Sequence, residues 1–277
     1  MTVTTTAPTT GSREAARPDY KVTFPRVVRS EFGKFLSLRS TLIALGLSQV
    51  LLVAVGLIAA AVYTPGGQDG SGPDIQDGLV GLSLTGVTFA ELALGVLGVL
   101  ITAGEYTSGT IRSTLAAVPK RLPVLWSKTI IFGVIAQGAA MGGVLITFQL
   151  GGMILKTEDL SMSLSDAGVL RALIGASLYL GLVGVWGVAL GALLRSTAGG
   201  IAVLVGLLLV VPGLTGLLPA SIRDNVTPYL PNNAGQAAYH LHEASDSLGP
   251  WAGLAVFAVW VTLTLGAAAY RLARTDA

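Results

Sequence analysis

Six stretches of this sequence, near Thr41–Tyr63, Leu82–Ala103, Thr129–Leu155, Ala172–Leu194, Ala198–Leu218 and Trp251–Tyr270, hold between them a single charged side chain, Glu91. Each reaches the roughly 17–25 apolar residues with which an α-helix crosses a hydrocarbon core about 30 Å thick. A chain inside lipid has few options, because every backbone N–H and C=O there must find its partner within the protein. A helix satisfies that need locally. The expectation is an all-α integral membrane protein with six transmembrane helices. Only 12% of the 277 residues are charged, about half the share usual in soluble domains, so a soluble fold would lack the polar residues to cover its exterior. The 36 glycines suit close helix contact in lipid, and Gly138/Gly142 and Gly187/Gly191 form small-xxx-small pairs. The absence of cysteine rules out disulfides and thiolate chemistry. The first apolar run starts about forty residues in and is too long for a signal-peptide core, so it reads as a span.

The third span is the longest and is expected to tilt or run partly along the interface. In the fifth, Val211-Pro212-Gly213 should kink or break the helix. Lys and Arg are distributed unevenly about the six spans. Arg13, Arg17, Lys21, Arg26, Arg29, Lys34 and Arg39 precede the first. Arg112, Lys120, Arg121 and Lys128 lie between the second and third, Arg195 between the fourth and fifth, and Arg271 and Arg274 after the sixth. The opposite side holds only Lys156, Arg171 and Arg223, a split of 14 to 3. Cytoplasmic loops carry such an excess, so both termini are expected in the cytoplasm of a cell whose inner membrane holds the chain.

Residues 1–20, rich in Thr, Ala and Pro, read as a disordered cytoplasmic tail ahead of a permease-sized region over 21–277. On a helical wheel Phe24–Ser40 places Phe24, Val27, Val28, Phe32, Phe35, Leu36 and Leu38 in one half, with Glu31 and Arg39 as the only exceptions to a polar opposite half. That is the pattern of an N-terminal amphipathic helix lying in the membrane interface. The outside segment Thr64–Gly81 should be irregular, and the last outside loop, Pro219–Pro250, should hold a short helix near Ala234–Ala244. Between the second and third spans, Gly104–Lys128 is too long for a simple helix hairpin. Thr107 or Ser108 can cap a short helix through about Val118, Pro119 can end it, and Pro123 can start the next.

The run Gly104-Glu105-Tyr106-Thr107-Ser108-Gly109-Thr110-Ile111-Arg112, with Leu115, Pro119-Lys120-Arg121 and Lys128 after it, resembles permease subunits of ATP-binding-cassette (ABC) exporters of the type-2 class, which carry E-Y/F-x-x-G-T-I/L-R after the second span. Glu31–Ser40 is similar to that family's E-x-x-K-x-x-S-x-R-S approach to the first span. Tyr229-Leu230-Pro231-Asn232-Asn233-Ala234-Gly235 resembles its last exterior loop, and Arg274-Thr275-Asp276-Ala277 its common ending. The resemblance implies that the short helix is a coupling helix docking on a separate ABC ATPase subunit, with Glu105, Gly109, Thr110 and Arg112 as the contact residues. It also implies a permease dimer, homo- or heteromeric, and export of a hydrophobic or amphipathic substrate.

Physical roles can be stated beside the resemblance. Glu105 can accept hydrogen bonds from the start of the short helix or pair with a basic partner residue. Arg112 offers a donor fork to an acidic surface, and Gly109 permits close backbone approach. The same loop would serve equally to set helix spacing. Glu91, alone inside a span, is either a residue of the translocation path or a neutral, hydrogen-bonded packing residue. His240, His242 and Glu243 lack the spacing of a metal site, and no metal is expected. The sequence contains no G-x-x-x-x-G-K-[ST] phosphate loop, so any ATP is bound by the partner subunit. Neither a cofactor on this chain, nor enzymatic activity, nor a nucleic-acid partner is expected. The competing reading is an ion-coupled secondary transporter or another membrane protein outside the ABC class, for which Glu91 and the Pro212-Gly213 break are the only candidate features.

Overall fold

The computed structural model describes residues 23–63, 78–117, 121–155, 162–242 and 247–274. The tail at 1–20, most of the segment Thr64–Gly81, the Pro119-Lys120 pair, Glu243 and the ending Thr275-Asp276-Ala277 lie outside those residues, as do the side chains of Arg112 and Leu115. The described residues are helical, with no strand among them. Among the described residues, six helical stretches are long and apolar enough to cross a membrane: Arg39–Val62, Gly78–Thr107, Leu122–Ile154, Val169–Leu194, Thr197–Leu217 and Pro250–Arg274. Each overlaps an apolar run expected to span.

The N-terminal helix α1, Phe24–Ser37, ends where Leu38 turns extended, and α2, Arg39–Val62, follows at once. The second apolar stretch comprises two helices, α3 over Gly78–Leu84 and α4 over Val87–Thr107. It starts four residues earlier than the sequence suggests, so Gly78–Gly81 are helical, and the break falls at Gly86. A side chain there would run into the Leu52 backbone of α2. Close approach of two backbones, which only glycine allows, therefore decides where this helix jogs.

After α4, Gly109 adopts a left-handed φ of 73° and the chain turns into α5, Thr110–Ala117. Thr107 and Ser108 do not cap α5. Their hydroxyls donate back to the Gly104 carbonyl at 3.0 and 2.8 Å and so close the end of α4. Helix α6, Leu122–Ile154, has Pro123 in its first turn, as expected. Its 33 residues make it roughly 50 Å long, well beyond the thickness of a hydrocarbon core. Lys128 lies within its first two turns.

Helix α7, Val169–Leu194, is the most enclosed of the six and packs against α4, α6 and α12, Pro250–Arg274. Glycine makes its fit to α4 possible. A Cβ on Gly187 would strike the Gly95 backbone, and one on Gly191 would stand 2.8 Å from the Val99 carbonyl oxygen. The Gly187/Gly191 pair is thus a true close contact. A Cβ on Gly138 or Gly142 would meet nothing within 4 Å, so among the described residues no close packing requires glycine at either.

Helix α8, Thr197–Val205, is capped by the Ser196 side chain and runs into a π-helical turn, Gly206–Val210. Then come α9, Val211–Leu214, and a 3-10 turn, Thr215–Leu217. The irregularity begins one turn before Pro212 because the ring displaces the carbonyl four residues back and the proline offers no N–H to it. Beyond lie α10, Ala220–Val226, and α11, Pro231–Gln236. The short helix of the last loop is therefore earlier and shorter than Ala234–Ala244. Pro231 starts it, and Ala237–Tyr239 form a buried turn against α7 instead of continuing it.

Candidate functional site

Glu31 is the exception on the apolar half of α1, and the structure accounts for it. With Val27 and Phe35 it forms the buried side of that helix, at 5% exposure, facing α6. Its Oε2 accepts from Lys128 Nζ at 2.8 Å and its Oε1 from Lys34 Nζ at 2.6 Å. Glu105, at the end of α4, joins them: its Oε1 lies 3.0 Å from Lys128 Nζ and 3.4 Å from Lys34 Nζ. Lys34 also donates to Thr114 Oγ1 of α5 at 3.3 Å. Two acids and two bases alternate, and together they fasten α1, α4, α5 and α6 at one end of the bundle.

The charges shape one another. Burial pushes the Glu31 carboxyl up, but the charge and hydrogen bond of Lys128, then those of Lys34, outweigh it and hold Glu31 below its ordinary 4.5. Burial likewise pulls the Lys34 ammonium down, yet its hydrogen bond to Glu31 and the charges of Glu105 and Glu31 keep it above 10.5. Both residues are therefore ionised across the neutral range. Isolated charges in such a place would cost several kcal/mol each; mutual pairing makes their burial tolerable.

Of the coupling residues expected from the sequence, Glu105 lies inside this network, bonded to two lysines of its own chain. Its second oxygen, Oε2, is buried without a hydrogen-bond partner among the described residues. Gly109 and Thr110 form the turn into α5 and are exposed. Space around Gly109 is open, so its left-handed backbone, not close approach, is what requires glycine. Arg112 lies on α5, and its side chain is outside the described residues. Sequence reasoning missed Glu31 and Lys34 as a paired site and read Lys128 only as a cytoplasmic basic residue that follows the motif. The available signal was the acid on an apolar helix face, three residues before a lysine.

A cavity of about 600 Å³ opens beside the network, walled by α1, α2, α4, α5 and the start of α6. At the same end, Arg195 takes a left-handed φ of 54° after α7 and sets its guanidinium 5.3 Å from the Tyr106 ring centre. Arg271 of α12 donates to the Leu193 carbonyl of α7.

Glu91 belongs to a separate group. It is 1% exposed and lies near the middle of the 78–107 stretch, with Tyr179 Oη of α7 donating to its Oε2 at 2.6 Å. Tyr179 Oη is also 3.1 Å from Asn232 Oδ1 of α11, which accepts from Gln236 Nε2 at 2.9 Å. The phenol has one proton, so it serves one oxygen at a time, and the shorter contact is to Glu91. Gly235 abuts the Tyr179 ring, and Phe257 of α12 packs edge-on against it at 5.1 Å. This polar chain links a buried acid to the far-end helix α11. It does not reach the cavity, whose lining excludes Glu91. His240 stacks on Tyr239, and no group of metal-binding side chains occurs among the described residues.

Six apolar helices of spanning length around a glycine-packed core define the class: a multi-pass helical membrane protein. No protein-family model and no curated protein matches the sequence.

Proposed function

We propose that this chain is the permease subunit of an ABC exporter, driven by a separate ATPase subunit and acting as one half of a permease dimer. In this reading it sits in the inner membrane with both termini cytoplasmic, as the 14-to-3 distribution of Lys and Arg favours. Helix α1 lies in the interface with Phe24, Phe32 and Leu36, all exposed, turned to lipid, and α5 is the coupling helix.

The observation that carries the reading is the network of Glu31, Lys34, Glu105 and Lys128. It joins α1 and the ends of two long helices, α4 and α6, to α5, the element whose sequence resembles a coupling helix. A push on α5 would pass through Thr114 to Lys34 and α1, and through Glu105 and Lys128 to α4 and α6. Rigid elements linked by ion pairs and hydrogen bonds transmit displacement in this way. Exposed Thr110 and the polar turn around Gly109 would meet the ATPase, with Arg112 as donor to an acidic surface. Transported molecules are expected to be hydrophobic or amphipathic, since the spans offer few polar groups.

The test is coexpression with an ABC ATPase subunit that copurifies with it, followed by reconstitution. Arg112→Ala and Glu105→Ala should leave the chain in the membrane and lower coupled transport about tenfold or more, as loss of a bonded charge at an interface does. Transport at the normal rate in both variants would reject the coupling role.

Ion-coupled secondary transport is the second reading, favoured by a buried acid in mid-span with a hydrogen-bonded path towards α11. It requires that Glu91→Gln abolish uptake driven by an imposed proton gradient, and gradient-independent transport would dismiss it.

A further inference from the structure

The cavity beside the ion network has two unlike ends. One is apolar and formed by Ala44, Leu97, Leu100, Ile101, Ile131 and Phe132. The other carries Glu31, Glu105, Lys34 and Lys128 among a set of hydroxyls. What that polar end can recognise follows from counting its donors. Ser37 Oγ donates to the Lys34 carbonyl at 2.9 Å, Ser108 Oγ to Gly104 at 2.8 Å, Ser113 Oγ to Thr110 at 2.8 Å and Thr114 Oγ1 to Thr110 at 3.2 Å. These four hydroxyls have spent their hydrogens on backbone carbonyls and keep lone pairs, while the Ser40 and Thr41 hydroxyls of the same lining can donate or accept.

The lysines are spent too. Lys34 directs its three N–H groups to Glu31, Glu105 and Thr114, and Lys128, 7% exposed, is turned to both carboxylates. Among the described residues, an incoming anion would meet two carboxylates and more oxygen lone pairs than free donors. A cation would meet acceptors. Lys34 is also the weaker holder of Glu105, at 3.4 Å against 3.0 Å for Lys128, and its side chain is 39% exposed. It can swing to water, giving up Glu105 together with its 2.6 Å bond to Glu31, while the Glu31–Lys128 pair stays closed. Glu105 Oε2, buried and without a hydrogen-bond partner among the described residues, leaves that carboxylate with acceptor capacity to spare.

We propose that this cavity binds an amphipathic ammonium: a protonated primary or secondary amine, seated at Glu105 among the hydroxyl oxygens, with its apolar chain against Leu97, Ile101 and Phe132. A volume of about 600 Å³ is within the usual range of small-molecule sites, roughly 300–1,000 Å³. An alkylamine is protonated at neutral pH, with a pKa near that of lysine, about 10.4. The site rests on the cavity alone and stands whether or not an ATPase drives the chain.

The experiment is saturable binding of a fluorescent alkylammonium to the purified full-length chain in lipid nanodiscs, with empty discs subtracted. Decylammonium, decanol and decanoate compete in turn. The ammonium should compete about tenfold better than the alcohol of equal chain length, because a charge-assisted hydrogen bond replaces a neutral one, and decanoate should be the weakest. Ile101→Trp should block all three by filling the apolar end. Glu105→Gln should weaken the ammonium about tenfold and leave the alcohol unchanged. Lys34→Gln moves the result the other way: with its competitor gone, the ammonium should bind several-fold tighter, an outcome that misfolding does not produce. Equal competition by ammonium and alcohol, preference for decanoate, no saturation above empty discs, or no gain in Lys34→Gln would each overturn the proposal.

Discussion

Glu31 shows how much a single residue on the wrong side of a helix can mean. Its carboxylate holds Lys128, 97 residues away and 7% exposed, so Glu31→Ala leaves a buried ammonium with Glu105 as its remaining acid. Breaking one side of a buried ion pair costs about 3 kcal/mol, and thermal unfolding in nanodiscs should show a clear drop in midpoint, smaller for Glu31→Gln, whose amide oxygen still accepts. The same pairing sets a pH window. Glu31 has its folded-state value lowered, so its contribution is full above 4.5 and is lost as pH falls through that lowered value. Lys34 has its value raised, so its share is full below 10.5 and is lost as pH climbs through the raised value. Unfolding midpoints of the wild type should therefore hold from about pH 5 to 10 and fall outside. In Glu31→Ala the acid limb should flatten.

Among elements, the contact of α4 with α7 depends on glycine backbones meeting directly, and here two similar sequence motifs part company. Gly187→Ala places a methyl against the Gly95 backbone and should destabilise by about 1–3 kcal/mol, the usual penalty for overpacking. Gly142→Ala adds a methyl to open space and should change stability by less than about 0.5 kcal/mol. Equal midpoints for the two variants in the same lipid would contradict this packing. Helix α11 is legible in the sequence as a motif, Tyr229–Gly235, and as a short helix in the last loop, but neither its bounds nor what it packs against are. That a turn and six helical residues fold against α7, with Asn232 reaching Tyr179, depends on the bare backbones of Gly175 and Gly235. Their neighbours in space are far away in sequence. The π turn before Pro212 was half visible: proline announces a break, while the register in which the preceding turn absorbs it depends on what lies around it.

For the whole molecule, sidedness is the property on which the proposed function stands. The native chain has no cysteine, so single cysteines report cleanly. Ser113→Cys on α5 and Ser221→Cys on α10, both exposed, should label from opposite faces of sealed cells, the latter from outside. Labelling of both from one face would refute the six-span topology. The sequence by itself determined that the chain is helical, that six apolar helices run through it, and roughly where each begins and ends. Those properties follow from apolar length and backbone hydrogen bonding, which are local. Tertiary structure alone decided which buried charge meets which: Glu31 with Lys128, Lys34 with Glu105, and Glu91 with Tyr179. Such pairings depend on how each helix is rotated and set against its neighbours. Glycine contacts and side-chain volumes fix that rotation jointly across the bundle, and no window of consecutive residues contains it.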